Sequence, residues 1–219
     1  MKKRPLLAIS IGCPSGIGPE VSLSAAAASP HRALLVGDRA TIERAARKRG
    51  VETFVEVDDA ASAAKLPAGA IGLWTRATRL AKRAEPGRPD REAGAAQLAW
   101  IDEATELVRE GVAEALVTGP VSKHAIASSG VRGASKFLGH TEHLAGRLGA
   151  REVIMAFWAN QLVTSLVTTH LPLAKVPRAI TKESVARSAY WLARLLVAVG
   201  ARRPTIAVAS LNPHAGEGG

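Results

Sequence analysis

A chain of 219 residues, 47% of them apolar, has room for one good hydrophobic core or two small ones, and a mean hydropathy of +0.08 marks a globular chain rather than a disordered or fibrous one. The formal charge of +10 raises nucleic acid as a partner, but the Lys and Arg residues are scattered and the few aromatics form no RNA-binding motif; the same charge would steer small anionic substrates. No apolar run reaches the roughly 18 residues of a membrane span, and the single cysteine, Cys13, excludes an internal disulfide framework, so a cytoplasmic location without membrane or nucleic-acid partners is expected.

Apolar runs suited to buried strands lie at residues 6–11, 33–36, 53–57, 71–74, 115–118, 152–158, 162–168 and 205–211. Helical patterns alternate with them, which predicts a layered α/β fold with a largely parallel sheet. Residues 90–111 place Ala93, Ala96, Trp100, Ile101, Ala104, Leu107 and Val108 on one helical face, with Gly111 as a stop. Residues 181–200 repeat the spacing through Val185, Ala189, Leu192, Leu196 and Val199. Residues 75–90, rich in Arg and Lys and carrying Pro86-Gly87-Arg88-Pro89, predict a mobile surface connection. The Ser- and Gly-rich stretch from Ser128 to Phe137 suggests a boundary between a first domain, 1–128, and a second, 129–219.

Several loops are candidates for chemistry. The run Gly12-Cys13-Pro14-Ser15-Gly16-Ile17-Gly18-Pro19-Glu20 follows the first strand and precedes a helix, where small residues let a backbone approach an anion. It is neither a Walker loop nor a Gly-x-Gly-x-x-Gly dinucleotide turn, and a tight structural turn fits its spacing equally well. Thr118-Gly119-Pro120-Val121-Ser122-Lys123 repeats the strand-to-helix arrangement, with Lys123 either neutralising an anion or simply solvated. In Gly139-His140-Thr141-Glu142, Thr141 is a candidate N-cap or oxyanion contact. His140, His170 and His214 all sit at predicted element ends, too far apart in sequence for a local metal motif; His31, His124 and His143 draw less interest.

Together the strings Gly-Cys-Pro-Ser-Gly-Ile-Gly-Pro-Glu, Thr-Gly-Pro-Val-Ser-Lys, Gly-His-Thr-Glu, Thr-Thr-His-Leu-Pro-Leu and Leu-Asn-Pro-His-Ala-Gly-Glu resemble, in that order, the 4-hydroxythreonine-4-phosphate dehydrogenase family of pyridoxal phosphate biosynthesis, and the likeness covers the whole chain. The resemblance implies two α/β/α domains around a cleft, of the isocitrate and isopropylmalate dehydrogenase type, in a homodimer. It implies NAD(P)-dependent oxidation of 4-hydroxythreonine 4-phosphate, followed by decarboxylation to an aminoketone phosphate. By the same pattern His140 and Thr141 bind substrate, while His170 and His214 ligate a divalent metal (Zn, Mg or Co) with a third histidine from the partner subunit. Lys123, Gly16, Gly18 and Glu20 are weaker binding candidates. Cys13 stands where the family usually has Asp. The family continues past residue 219 into the third metal histidine and most of the nicotinamide site, so the second domain is expected to be incomplete and the chain alone inactive. Related members act on threonate or erythronate phosphate, and a noncatalytic remnant binding metal or phosphate is the other alternative.

Overall fold

Leu6–Ser10 (β1) and Arg32–Val36 (β2) are short apolar runs joined through the helix Gly18–Ala28 (α1), and a strand, helix, strand unit of this kind closes as a parallel pair. The computed structural model describes residues 4–51, 53–76 and 78–217, leaving side chains 215 and 216 aside; Gly218 and Gly219 of the last predicted loop lie outside the described residues. The chain divides into two units, residues 1–150 and 151–219.

In the first unit, Val55–Glu56 (β3), Ile71–Trp74 (β4) and Ala115–Thr118 (β5) join β1 and β2 in one sheet of order β3-β4-β2-β1-β5, parallel throughout. Every residue of β2 is buried, as befits a central strand covered on both faces. Arg39–Arg49 (α2) starts at Asp38, whose carboxylate accepts from the Thr41 amide, and stops at Gly50 in the left-handed region, φ 65°. Ala60–Lys65 (α3) opens on a capping box between Asp59 and Ser62.

The long helix Arg91–Arg109 (α4) follows the predicted pattern closely. Asp90 caps it through the Ala93 amide, Gly111 at φ 74° turns the chain away, and Ala96, Trp100 and Ala104 are completely buried against the sheet core. Its opposite flank builds a second cluster, in which Leu98 and Ile101 meet Ile126 of Lys123–Ala127 (α5), then Ala134 and Phe137. The Ser128 to Phe137 stretch therefore packs inside the first unit, and the division falls after Ala150. The described residues of the connection 75–90 form no helix or strand, yet it is tied down: Trp100 Nε1 donates to the Thr78 carbonyl at 2.9 Å, and the Gly87 amide donates to the Ser15 carbonyl at 2.7 Å. His140–Leu148 (α6) completes the unit and buries none of its residues fully.

The second unit corrects the expectation of a parallel continuation. Ala156–Ala159 (β6) and Leu162–Ser165 (β7) form an antiparallel hairpin, because only two residues separate them and a parallel crossover needs about a dozen. Val176–Ala179 (α7) precedes Lys182–Ala198 (α8), which begins at the predicted Thr181 with a capping box to Ser184. Residues 205–211, predicted as a strand, have no ladder partner among the described residues; Val208 and Leu211 are exposed. Among the described residues no helix is long and apolar enough to cross a membrane.

Candidate functional site

The sheet order fixes where a crevice forms. The chain builds outward from β1 through β2, then returns to the other side of β1 with β5, so strand order reverses between β1 and β5, where open α/β sheets bind ligands at the carboxyl ends of the strands. The loops leaving those two ends are the Gly-rich run 11–18 and the Gly119–Lys123 segment, and they pack backbone against backbone. The Cys13 amide donates to the Pro120 carbonyl at 2.8 Å, and the Gly119 amide to the Ser10 carbonyl at 2.7 Å. A methyl group on Gly18 would lie 2.6 Å from the Ile11 carbonyl oxygen, and one on Gly12, where φ is +76°, 2.4 Å from that of Pro120. Close approach of two strand-end loops explains Gly12, Gly18 packs chiefly on the Ile11 and Cys13 backbone of its own loop, and Gly16 faces the Cys13 side chain at ordinary contact distance. The tight-turn reading thus accounts for most of this loop. Glu20 pairs with Lys48 at 2.8 Å. Burial of Cys13 pushes its thiol above the ordinary value.

Beside this scaffold stand the residues of greater chemical interest. Ser122 caps α5 through the Ala125 amide, which places Lys123 at the first turn. Gly139 is the N-cap of α6 and carries no side-chain cap, so Thr141 occupies the first turn rather than the predicted capping position. His140 opens the helix in edge-on contact with the Phe137 ring, centroids 6.2 Å apart. Its Nε2 is buried without a hydrogen-bond partner among the described residues. Burial, then the nearby His143 and Lys123, hold the His140 imidazole below its ordinary pKa, which keeps it neutral near neutral pH. Lys123 reaches the same place: a methyl on Gly139 would lie 3.4 Å from its Nζ. Buried side-chain atoms without partners are rare in folded proteins. Among the described residues they belong to Ser10, Ser15, His31 and His140, and the first two lie at the end of β1 and in its loop.

Two features of this support were missed by periodicity. Gln97, inside the apolar face of α4, is 1% exposed; its Oε1 accepts from the Ser122 amide at 2.8 Å and its Nε2 donates to the Ala93 carbonyl at 2.8 Å. Gly94 lets α5 lie directly on α4. A polar residue interrupting an apolar helical stripe was the available signal for the first.

In the second unit, His170 and His214 occupy left-handed backbone, φ 55° and 51°, and with Glu217 they are the non-glycine residues of positive φ among those described. Such conformations cost about 1–3 kcal/mol for side chains of this kind and concentrate at functional sites. Both histidines are exposed, and His214 Nδ1 lies 3.1 Å from Glu217 Oε1. Imidazoles are suitable donors for a divalent cation, but among the described residues no three His, Cys, Asp or Glu side chains assemble into a metal site.

Comparison with known proteins finds relatives along nearly the whole chain. Residues 29–219 fit the model of the family described as pyridoxal phosphate biosynthetic protein PdxA. A 4-hydroxythreonine-4-phosphate dehydrogenase of Acidithiobacillus ferrooxidans is 39% identical over 222 residues, taking in 100% of this chain and 65% of the relative. A Symbiobacterium thermophilum relative named for D-threonate 4-phosphate dehydrogenase activity is 33% identical, with 100% and 65% covered. The crystal structure of a 4-hydroxythreonine-4-phosphate dehydrogenase from Burkholderia phymatum superposes with a TM-score of 0.81 at 32% identity, over 99% of this chain and 65% of that one. The chain thus spans about 65% of the length of the curated relatives it matches. With the ordered loop motifs, the parallel sheet and these likenesses in agreement, the chain belongs to the pyridoxal phosphate biosynthetic protein PdxA family.

Proposed function

We propose that this chain carries the substrate-recognising part of a dehydrogenase that oxidises 4-hydroxythreonine 4-phosphate. The observation that carries the reading is His140. A neutral imidazole with an unpartnered buried nitrogen, beside the Lys123 ammonium, suits a ligand that brings both a hydroxyl and anionic groups. Thr141 and the side-chain-free N-cap of α6 add a hydroxyl and helix-terminal amides at the same end of the helix. In this role His140 orients the substrate oxygen, Lys123 balances negative charge, and the walls of the crevice come from the interlocked loops after β1 and β5.

His170 and His214 are the proposed donors for a divalent metal, completed by a third histidine from the partner subunit of a homodimer. When bound, such an ion supplies Lewis-acid stabilisation of substrate oxygen during hydride loss and decarboxylation. The exposed Phe157, Trp158, Leu162 and Leu173 of the second unit support assembly with further protein, since single chains rarely leave so much apolar surface uncovered. NAD or NADP is the proposed hydride acceptor; no described residue is assigned to it. The relative named for threonate phosphate favours one second reading, in which the substrate is D-threonate 4-phosphate.

Calorimetric titration of the 219-residue chain with both phosphate esters tests the reading. We expect binding of 4-hydroxythreonine 4-phosphate that weakens about tenfold or more in His140→Ala, the scale of a hydrogen bond to a charged or buried group. Equal affinity in the variant would refute the role of His140, and preferential binding of D-threonate 4-phosphate would select the second substrate.

A further inference from the structure

Helix α6 carries His140 and Thr141 but has little of its own to hold it in place. It is nine residues long, a length at which an isolated helix is marginal, and none of its residues is fully buried. Leu144 leans on the second hydrophobic cluster. The remaining attachments are polar and converge on α4. His143 Nε2 donates to Asp102 Oδ1 at 2.6 Å, Arg147 Nε approaches the same oxygen at 3.4 Å, and Arg147 Nη2 donates to Glu106 Oε1 at 3.3 Å. His143 is also stacked obliquely on Phe137, with centroids 5.5 Å apart, and Phe137 in turn meets the His140 ring. Asp102 and His143 are each largely shielded, with side chains 29% and 20% exposed, so their hydrogen bond competes with water less than a surface pair would.

We propose that Asp102, acting through His143, is a positioning residue that fixes where His140 and Thr141 stand at the crevice. The pair lies one helical turn from His140, and Asp102 sits on the best-anchored helix of the unit, the one whose Trp100, Ile101 and Ala104 are completely buried. A rigid helix therefore transmits its register to a loosely packed one through a short charge-assisted hydrogen bond. A side chain at position 143 without a donor would leave Arg147 as the polar tie from α6 to α4, beside the contacts of Leu144 and of His140 with Phe137. The proposal rests on the reading of His140 as a ligand contact.

The experiment follows position and binding separately, on the full 219-residue chain. Amide exchange across residues 141–148 and the His140 Cε1–Hε1 resonance, assigned by its loss in His140→Gln, report the helix. Titration with 4-hydroxythreonine 4-phosphate reports the ligand. In Asp102→Ala and in His143→Ala we expect exchange of α6 to rise about tenfold, exchange in β1 and β2 to stay unchanged, the His140 resonance to shift, and affinity to fall about tenfold. Asp102→Asn, which keeps an acceptor for His143, should restore most of each signal; a merely structural contribution would lower global stability without this selective pattern. Unchanged α6 exchange and an unmoved His140 resonance in both alanine variants would overturn the proposal. If the helix loosens and His140 moves while affinity stays at the wild-type value, the assignment of His140 to the ligand falls and the tether remains.

Discussion

Replacing Gly94 by alanine should destabilise the first unit, although the same change in an ordinary helix stabilises. A methyl at position 94 would lie 2.0 Å from the Ala125 carbonyl oxygen and 2.4 Å from its carbon, both backbone atoms that no rotamer change can move aside. Ordinary contact begins at 3.4 Å, so α5 would have to retreat by roughly 1.4 Å, opening the packing around the fully buried Ile126. Alanine gains about 1 kcal/mol in helix propensity over glycine. Overpacking against an immovable neighbour loses about 1–3 kcal/mol and occasionally more, and the opened cluster adds to the loss, for a net destabilisation of about 2 kcal/mol. Urea unfolding measures it, followed by fluorescence with Trp158 and Trp191 changed to Phe so that Trp74 and Trp100 report the first unit. With a slope of about 2 kcal/mol per molar urea, the midpoint should fall by about 1 M. Gly146→Ala is the control: that glycine is in α6, nothing lies within 4 Å of an added methyl, and the midpoint should rise by a few tenths molar. A Gly94→Ala midpoint equal to or above wild type would refute the close approach of α4 and α5.

Gln97→Leu removes the acceptor of the Ser122 amide while preserving bulk, and should lose about 1–3 kcal/mol in the same assay, with faster amide exchange at residues 119–123; an unchanged midpoint would show that water replaces the glutamine without penalty. His140 should titrate below its ordinary 6.5 in an NMR pH series, because burial first, then His143 and Lys123, disfavour the imidazolium. Its contribution to stability is then complete above 6.5 and is lost as pH falls through the depressed folded value, and Lys123→Ala should move that midpoint partway back up; a midpoint at or above 6.5 would contradict the burial of the ring. Cys13, whose thiol is held above its ordinary value by burial, should react slowly with iodoacetamide at neutral pH and quickly once urea unfolds the first unit. Rapid alkylation of the folded chain would place the thiol at the surface.

Much of the first unit was legible in the sequence. The strand at 71–74 and that at 115–118 appear where apolar runs between turn signals predicted them, although only the first is buried, and Asp90 and Gly111 bound α4 as expected, because short apolar strands and helix caps are decided by local chemistry. The loop motifs also carried the family, since each is a local string. Periodicity could not say which strands pair: residues 152–158 and 162–168 read like members of a parallel sheet, yet a two-residue turn commits them to an antiparallel hairpin. Nor could spacing separate a ligand loop from a tight turn at residues 12–18, where Gly12 answers to the backbone of Gly119 and Pro120, more than a hundred positions away. The interest of His140 was visible as an element-end histidine, but its neutrality and its unpartnered nitrogen were not, for both depend on what surrounds the ring. Likewise His143 draws little interest in the sequence, and only the folded chain brings it to Asp102, 41 positions earlier. Local sequence determines which elements form and where they stop; long-range packing determines which polar groups lose water, and that loss is what gives a side chain its chemistry.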